Sequence, residues 1–257
     1  MRQPSLERLG GIDSPTLLHD GTERGRAYVA MEWCDGVSIA VAAQQARAGR
    51  DRRRLHDLVG RMFDAYGRLH QRGVLHGDIH PGNCLVRDDG RVVILDFGNA
   101  RSIDATSVVD PMRSGIPQFH DPQMAGALLA GRLPPAATPL SEQYAIAVLA
   151  YLLLTGLQPI NAPAVHDELL RRLVQRPALP FAARGVPGWP EVEAVVGRGL
   201  AKQPADRFPD VASLARAFSL AGLPRDLPPR WPDAAQRAFD TAVEAVRSLA
   251  PSGEPRD

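Results

Sequence analysis

Hydrophobic side chains recur at helical spacing in two long stretches of the chain. From Leu55 to Leu69 they keep an i, i+3, i+4, i+7 spacing, which is typical of a helix with one buried face, and Gly73 ends the pattern. Residues 140–156 are apolar nearly all round and therefore predict a central buried helix. A shorter helix, capped by Ser38, is predicted to end near Ala48.

Short strands are predicted on both sides of these first helices. Residues 16–19 and 27–32 predict two strands joined by a polar turn over residues 20–25. Further along, HGDIHPGNCLV (residues 76–86) and VVILDFG (residues 92–98) each contain a short apolar strand. The pattern predicts an α+β fold that is mostly helical.

Composition is that of an ordinary globular chain. The 257 residues can bury a substantial core, and 44% of them are hydrophobic while 23% are charged, far from the composition of disordered proteins. The formal net charge is only +1, so we expect neither a nucleic acid nor an anionic membrane as partner.

The cysteine and hydropathy patterns argue against several further classes of protein. The two cysteines, Cys34 and Cys84, show no metal-ligand spacing, so we expect neither a disulfide framework nor a cysteine zinc site. The N-terminus has no apolar signal region, and the longest apolar run, residues 144–157, is too short to span a bilayer. These features predict a cytoplasmic protein.

Three polar residues follow one another in a spacing that suits phosphate chemistry. Asp78 lies on a turn, Asn83 comes five positions later, and Asp96 follows the strand of VVILDFG. The two oxygen ligands Asn83 and Asp96 are placed at the ends of adjacent short strands, where they can bind metal-bound phosphates. The Asp78 carboxylate can then accept a proton from an attacking hydroxyl.

This spacing resembles that of the protein-kinase-like phosphotransferase superfamily, whose members carry H-x-D-x-x-x-x-N and D-F-G in this order. The resemblance implies a kinase-like fold with a helical C-lobe and, here, only a remnant of the β-rich N-lobe. It also implies ATP and Mg²⁺ as cofactors. Asp78 would orient the acceptor hydroxyl, and Asn83 and Asp96 would bind magnesium.

The segment MEWCDGVSI is similar to the kinase hinge, whose backbone groups bond the adenine ring. The resemblance places Met31 at the back of the nucleotide pocket and gives adenine-facing backbone groups to Glu32 and Cys34. Leu85 and His80 complete the implied nucleotide-binding set.

Later segments favour the protein-kinase branch of the superfamily. GIPQFHDPQ is similar to the G-T-P-x-Y-x-x-P-E ending of the activation segment in bacterial serine/threonine kinases. Glu142 and Tyr144 match the Asp-x-Tyr start of the buried kinase helix. Residues 200–208 match the closing L-x-K-x-P-x-x-R-F segment, and we expect Arg207 to hydrogen-bond Gln123, which replaces the usual acid.

Two substitutions beside Asp78 depart from that branch. Gly77 stands where many kinases have an arginine that binds activation-loop phosphate, so we expect no switching through that contact. His80 stands where serine/threonine kinases usually have a lysine. The resulting HGDxHPGN is similar to the loop of aminoglycoside and choline phosphotransferases, so a small-molecule acceptor stays an alternative.

The N-lobe motifs that bind the nucleotide phosphates in kinases are not recognisable in the sequence. About 30 residues precede the hinge, they contain no G-x-G-x-x-G, and Lys202 is the only lysine of the chain. Three explanations stay open: a piece of a longer kinase, a lobe completed by a partner chain, or a pseudokinase used for binding. We expect this chain alone to bind ATP–Mg weakly.

The predicted organisation is an N-lobe remnant over residues 1–32, a C-lobe over 33–221, and a proline-rich linker with a C-terminal helix over 222–257. The predicted function is transfer of the ATP γ-phosphate to a serine or threonine hydroxyl of a protein or peptide. A non-enzymatic binding module is the alternative from another class. DFGNAR, EQYAIAVLAYLLLTG and PFAARGVPGWPEVEAV are also similar to kinase domains associated with lanthionine-forming cyclases, which phosphorylate a precursor peptide.

Overall fold

The computed structural model describes residues 10–104, 115–161, 165–186 and 188–221. The predicted helix end over residues 1–11 and the predicted C-terminal helix over 234–249 therefore fall mostly or wholly outside the described residues. Within the described ranges the helices are α1 (Ile39–Ala48), α2 (Arg52–Gln71), α3 (Pro122–Leu129), α4 (Pro139–Thr155), α5 (His166–Gln175), α6 (Pro190–Gly199) and α7 (Val211–Leu220). The strands are β1 (Leu17–Glu23), β2 (Arg26–Met31), β3 (Val37–Ser38), β4 (Val74–Leu75), β5 (Cys84–Val86), β6 (Val92–Ile94) and β7 (Arg101–Ser102).

The first two strands form an antiparallel hairpin with a shorter turn than the sequence predicted. Both strands were expected, but the turn over residues 20–25 was wrong, because β1 continues to Glu23. Only Arg24 and Gly25 lie between the strands, and both have positive φ, +49° and +78°. Two such residues match the natural twist of a hairpin, so the polar residues before them stay in the strand.

A three-stranded antiparallel sheet connects the segments that carry the candidate chemistry. Its strand order is β3-β5-β6, with Ser38 paired to Leu85 and Leu85 paired to Val93. Strands β4 and β7 form a separate antiparallel pair, in which Leu75 lies opposite Arg101. The residues after β2, before β5 and after β6 are therefore held on one small framework.

The segment before β1 is bound to this framework. Ile94 donates its backbone N–H to the carbonyl of Asp13 at 2.8 Å. The Asp13 carboxylate accepts two hydrogen bonds from the Arg68 guanidinium of α2, at 2.6 and 2.8 Å. Because Arg68 is well exposed, this pair contributes little stability, but it fixes where the N-terminal segment enters.

Two helices form the centre of the core, as predicted. The apolar side chains from Leu55 to Leu69 are all buried on α2, and Gly73 ends the helix region with φ +74°. α4 is buried on nearly all sides and ends at Gly156, which has φ +80°. Ser38 caps α1 by accepting a hydrogen bond from the N–H of Ala40. The α+β, mostly helical prediction is confirmed.

The remaining helices pack around this centre. α7 packs against α2, and the fully buried Trp189 at the start of α6 belongs to the same core. α3 and α5 enclose a smaller apolar cluster beside it. Among the described residues no helix combines the length and the apolar character needed to cross a membrane.

Arg207 connects three parts of the helical domain from a buried position. It is 2% exposed and donates to Gln123 Oε1 at 3.1 Å, to the carbonyl of Leu140 at 2.7 Å and to the carbonyl of Ala201 at 2.9 Å. Its guanidinium carbon also lies 5.1 Å from the centre of the Tyr144 ring. The predicted hydrogen bond between Arg207 and Gln123 is confirmed.

Replacing Arg207 with lysine is expected to lower stability by about 2 kcal/mol, although the charge is kept, because one ammonium cannot reach all these acceptors and some stay buried without a donor. The thermal midpoint should fall by roughly 4–8 °C. Arg91→Lys is the matched control, since Arg91 is exposed and its guanidinium lies 2.7 Å from the carboxylate of the exposed Asp89. Equal melting of both variants would contradict this role of Arg207.

Candidate functional site

The residues from His76 to Asn83, called the Asp78 turn below, connect β4 to β5. His76 is fully buried, donates from Nε2 to the carbonyl of Leu95 at 2.7 Å, and accepts the N–H of Asp78 on Nδ1 at 3.2 Å. Its ring meets Phe97 edge-on, with the ring centres 5.2 Å apart. His76 thus ties the Asp78 turn to the segment that carries Asp96.

Gly77 allows a close backbone contact inside this turn. Its φ is +82°, and a Cβ atom added there would lie 2.3 Å from the carbonyl oxygen of Asn99. No side chain fits at that distance, so the contact requires glycine. The arginine that many kinases have at this position has no room in this backbone conformation.

Asp78 and Asn83 are held together as a unit. The side-chain amide of Asn83 donates to the backbone carbonyl of Asp78 at 3.0 Å. The Oδ1 atom of Asp78 is buried and has no hydrogen-bond partner among the described residues. A Cβ atom added to Gly115 would lie 3.5 Å from that oxygen, so the segment around Gly115 passes next to the carboxylate. An unpaired buried carboxylate oxygen is costly and is often found where a substrate donor binds.

Asp96 lies at the end of β6 in an uncommon backbone conformation. Its φ is +56°, which an aspartate tolerates better than most residues, and its Oδ1 accepts the N–H of Gly98 at 3.1 Å. The N–H of Leu95 donates to the carbonyl of Asn83 at 2.8 Å. This bond places Asn83 and Asp96 at the same end of the β5–β6 pair, as the sequence predicted.

The oxygen atoms of Asn83 and Asp96 suit a magnesium ion that is also bound by phosphate. Asn83 uses its amide nitrogen in the bond to Asp78, which leaves its Oδ1 atom for a cation. Asp96 is exposed. Within the described ranges, no group of three or more His, Cys, Asp or Glu side chains is arranged to hold a metal. Magnesium keeps several water or phosphate oxygens and needs only one or two protein ligands, so the donor set fits.

His80 is bound on one ring nitrogen and faces Asp78 with the other. Its Nδ1 atom accepts the N–H of Gly82 at 3.1 Å, and its Nε2 atom lies 3.8 Å from Asp78 Oδ2. Burial lowers the pKa of His80 below its ordinary value, and the Asp78 charge opposes this effect. His80 is therefore mainly a neutral side chain at pH 7, with an Nε2–H group beside the carboxylate.

The predicted hinge residues follow β2. The N–H of Glu32 donates to the carbonyl of Thr16 at 2.9 Å, and its carboxylate accepts from the Thr16 hydroxyl at 2.8 Å and faces Arg87 at 3.5 Å. The hydrogen bonds from Thr16, aided by Arg87, lower the pKa of Glu32. Met31 is 41% exposed at the end of the hairpin, and Cys34 is partly buried.

The structure brings one subset of the predicted residues together through hydrogen bonds and strand pairing. Asp78, Asn83 and Asp96 are linked as described, and Leu85 lies in the same sheet between β3 and β6. Arg87, which follows β5, reaches Glu32 of the hinge. The nucleotide-binding roles of Met31, Glu32, Cys34, Leu85 and His80 stay predictions.

Glu142 carries a role that the sequence did not reveal. From the first turn of α4 its buried carboxylate accepts the backbone N–H groups of Gly77 and His76 and the Nε2–H of His70, the last at 2.8 Å. Burial alone would raise the pKa of Glu142, but the hydrogen bond and charge of His70, with help from His76 and Gly77, hold it below its ordinary value.

His70 was missed because a histidine near the end of a helix is usually a solvated residue. One signal was available: it follows Tyr66 by four residues and so lies on the buried face of α2. A polar side chain on that face needs a partner, and an acid at the start of an apolar helix needs a donor. These two requirements mark His70 and Glu142 as residues that each need a buried partner, without showing that they pair with each other.

The chain is similar to a kinase-like family and to several serine/threonine-protein kinases. The family described as ABC1 atypical kinase-like domain matches residues 6–115. The chain is 30% identical over 208 residues to serine/threonine-protein kinase Pkn1 of Myxococcus xanthus, a match that covers 76% of the chain and 28% of that protein. It is 31% identical over 215 residues to serine/threonine-protein kinase PknL of Mycobacterium tuberculosis, covering 82% of the chain and 51% of that protein.

A third relative, serine/threonine-protein kinase PknF of Mycobacterium tuberculosis, is 28% identical over 210 residues. That match covers 78% of the chain and 42% of the relative. The chain thus spans between about a quarter and a half of the length of these curated relatives.

Proposed function

Since the chain belongs to the protein-kinase-like superfamily, we propose that it transfers the γ-phosphate of ATP to a serine or threonine hydroxyl of a protein or peptide. The observation that carries the proposal is the buried Oδ1 atom of Asp78, which has no partner among the described residues. An acceptor hydroxyl donating to this oxygen would satisfy it and would at the same time be oriented for attack.

Three side chains of the Asp78 turn have separate roles near that hydroxyl. Asp78 holds the acceptor O–H and takes its proton as the new phosphate ester forms. Asn83 fixes the turn by its bond to the Asp78 carbonyl. The Nε2–H of His80, beside Asp78 Oδ2, is a neutral donor on the same side of the carboxylate.

Asn83 and Asp96 would hold magnesium, and their positions on one end of the β5–β6 pair support this assignment. Bound magnesium neutralises phosphate charge during transfer. For the nucleotide base, we assign the backbone of Glu32 and Cys34, with Met31 and Leu85 as apolar neighbours. The connection of the hinge to β5 through Glu32 and Arg87 supports that part.

A small-molecule acceptor is the second candidate. One observation favours it: the Asp78 turn requires glycine at position 77, as in HGDxHPGN, since a Cβ would meet the Asn99 carbonyl. Comparing protein acceptors with hydroxyl-bearing metabolites in the same transfer assay separates the two candidates.

The decisive test is transfer of labelled γ-phosphate by the purified chain to a serine- and threonine-rich protein such as casein, with magnesium varied. Asp96→Asn is expected to raise the magnesium concentration for half-maximal transfer by about tenfold or more, because losing even an indirect partner of a metal costs about that much. Asp89→Asn is the matched control, since Asp89 is an exposed acid between β5 and β6 that pairs with Arg91.

Transfer that keeps the same magnesium dependence in Asp96→Asn would show that this site does not perform it. A chain that binds partners but transfers no phosphate under any magnesium concentration would instead support the binding-module alternative.

A further inference from the structure

The carboxylate of Glu142 is the common acceptor beneath the Asp78 turn. Its Oε1 accepts the N–H of Gly77, and its Oε2 accepts both the N–H of His76, at 3.1 Å, and the Nε2–H of His70, at 2.8 Å. His70 is the only side-chain donor among these three. The side chains of His70 and Glu142 are 7% and 5% exposed, so water does not substitute for either partner.

We propose that His70 is a positioning residue, which keeps Glu142 ionised and thereby keeps both backbone N–H groups of the Asp78 turn bound. The effect on turnover rests on the proposed kinase function, whereas the effect on the turn itself does not.

The chemistry of the carboxyl group explains the dependence. An ionised carboxylate accepts on both oxygens, so it can bind Gly77 on one and His76 on the other. A protonated Glu142 has a donor O–H on one oxygen, and that O–H would face a backbone N–H. One of the two backbone bonds is then lost, and the residues beside Asp78 are released.

Removing the donor at position 70 leaves a buried carboxylate with two hydrogen bonds in place of three. Burial then weighs more heavily against the charged form, so Glu142 takes up a proton at a higher pH. His70 Nδ1 has no hydrogen-bond partner among the described residues, so the Nε2 bond to Glu142 is what places this ring.

Other groups near Glu142 stay unchanged when only residue 70 is replaced. Tyr66 comes from α2 and is close enough to feel the charge of Glu142. The groups that line the same cavity as Glu142 are Asp78 from the Asp78 turn, Arg101 from β7 and His120 from the segment before α3. The buried imidazole of His76 also lies on this side.

The sign of the pH effect follows from the lowered pKa of Glu142. The stabilisation that it gives is present above the pKa of an unfolded glutamate and disappears as the pH falls through the folded-state pKa. In a variant without the donor at position 70, this loss begins at a higher pH.

Two substitutions separate the donor from the bulk of the side chain. His70→Gln keeps an N–H donor at similar reach, whereas His70→Leu removes it, and His70→Ala serves if the leucine variant does not fold. His56→Leu is the control, because His56 is also a buried histidine of α2 but bonds the carbonyl of Phe218, far from Glu142 in sequence.

The measurement is amide hydrogen exchange of the peptide that contains His76 and Gly77, from about pH 3 to pH 8 so that the lowered midpoint of the wild type is covered, with rates corrected for intrinsic pH dependence. In His70→Leu we expect protection of this peptide to be lost about one pH unit or more higher than in the wild type. His56→Leu should keep the wild-type midpoint, and His70→Gln should shift it less than His70→Leu does, because glutamine keeps the hydrogen bond to Glu142 but not the charge of the imidazole. An unchanged midpoint in the leucine and alanine variants, or an equal shift in the glutamine variant, would overturn the proposal.

The kinetic counterpart is the acid limb of the pH profile of kcat, which should move to higher pH in His70→Leu and move less in His70→Gln. KM for ATP should stay unchanged. A wild-type chain without transfer activity would disprove the proposed function, while the exchange midpoints would still decide the role of His70.

Discussion

Asp78→Asn is expected to lower kcat for γ-phosphate transfer by about 10²–10⁴-fold while the fold stays intact. Asparagine has nearly the same shape as aspartate, and Asn83 bonds the backbone carbonyl of residue 78, which the substitution does not touch. What is lost is the carboxylate that accepts the proton of the acceptor hydroxyl. Single-turnover transfer at saturating ATP measures this loss directly.

The same substitution is expected to leave stability unchanged or to raise it by up to about 1 kcal/mol, because the amide carries no negative charge at a position where one oxygen is buried without a partner among the described residues. A thermal melt of both proteins tests this expectation. Transfer that persists at the wild-type rate would contradict the assignment of Asp78 as the base, and a variant that unfolds several degrees earlier would contradict the expected stability.

Gly77→Ala is expected to destabilise the protein by about 2–5 kcal/mol. The left-handed backbone costs a non-glycine residue about 1–2 kcal/mol, and forcing a methyl group against the Asn99 carbonyl adds roughly 1–3 kcal/mol. The thermal midpoint should fall by roughly 4–20 °C, as measured by circular dichroism.

Gly131→Ala separates the two contributions to that loss. Gly131 also has a positive φ, +62°, but a Cβ atom there would meet no atom within 4 Å. This variant should lose only the backbone part, about 1–2 kcal/mol. If both alanine variants melted at the same temperature, the contact between Gly77 and Asn99 would carry no stability.

Hydrophobic periodicity, together with the residues that cap or end helices, predicted the long elements and those with clear ends. The buried face of α2, the all-round burial of α4 and the cap at Ser38 follow from local sequence. The hairpin turn was misjudged because polar residues in an exposed strand look like a turn until the positive-φ pair at Arg24 and Gly25 is recognised.

The sequence predicted the part of the candidate site whose residues lie close together along the chain. Asp78, Asn83 and Asp96 are fixed by short local segments, and the structure joins those segments through Leu95 and the β5–β6 pair. His70 and Glu142 meet across 72 positions of sequence, so no local pattern shows that they are partners. The organisation into residues 1–32, 33–221 and 222–257 stays a prediction.

The contact between Gly77 and Asn99 also limits how this family member can change over evolutionary time. An arginine at position 77 would carry at least the steric cost expected for alanine, because its Cβ atom would collide with a backbone atom rather than with a side chain that can move aside. The backbone around Asn99 would have to shift as well to make room for it. Acquiring an arginine at this position therefore requires a compensating change near Asn99 in addition to the substitution itself.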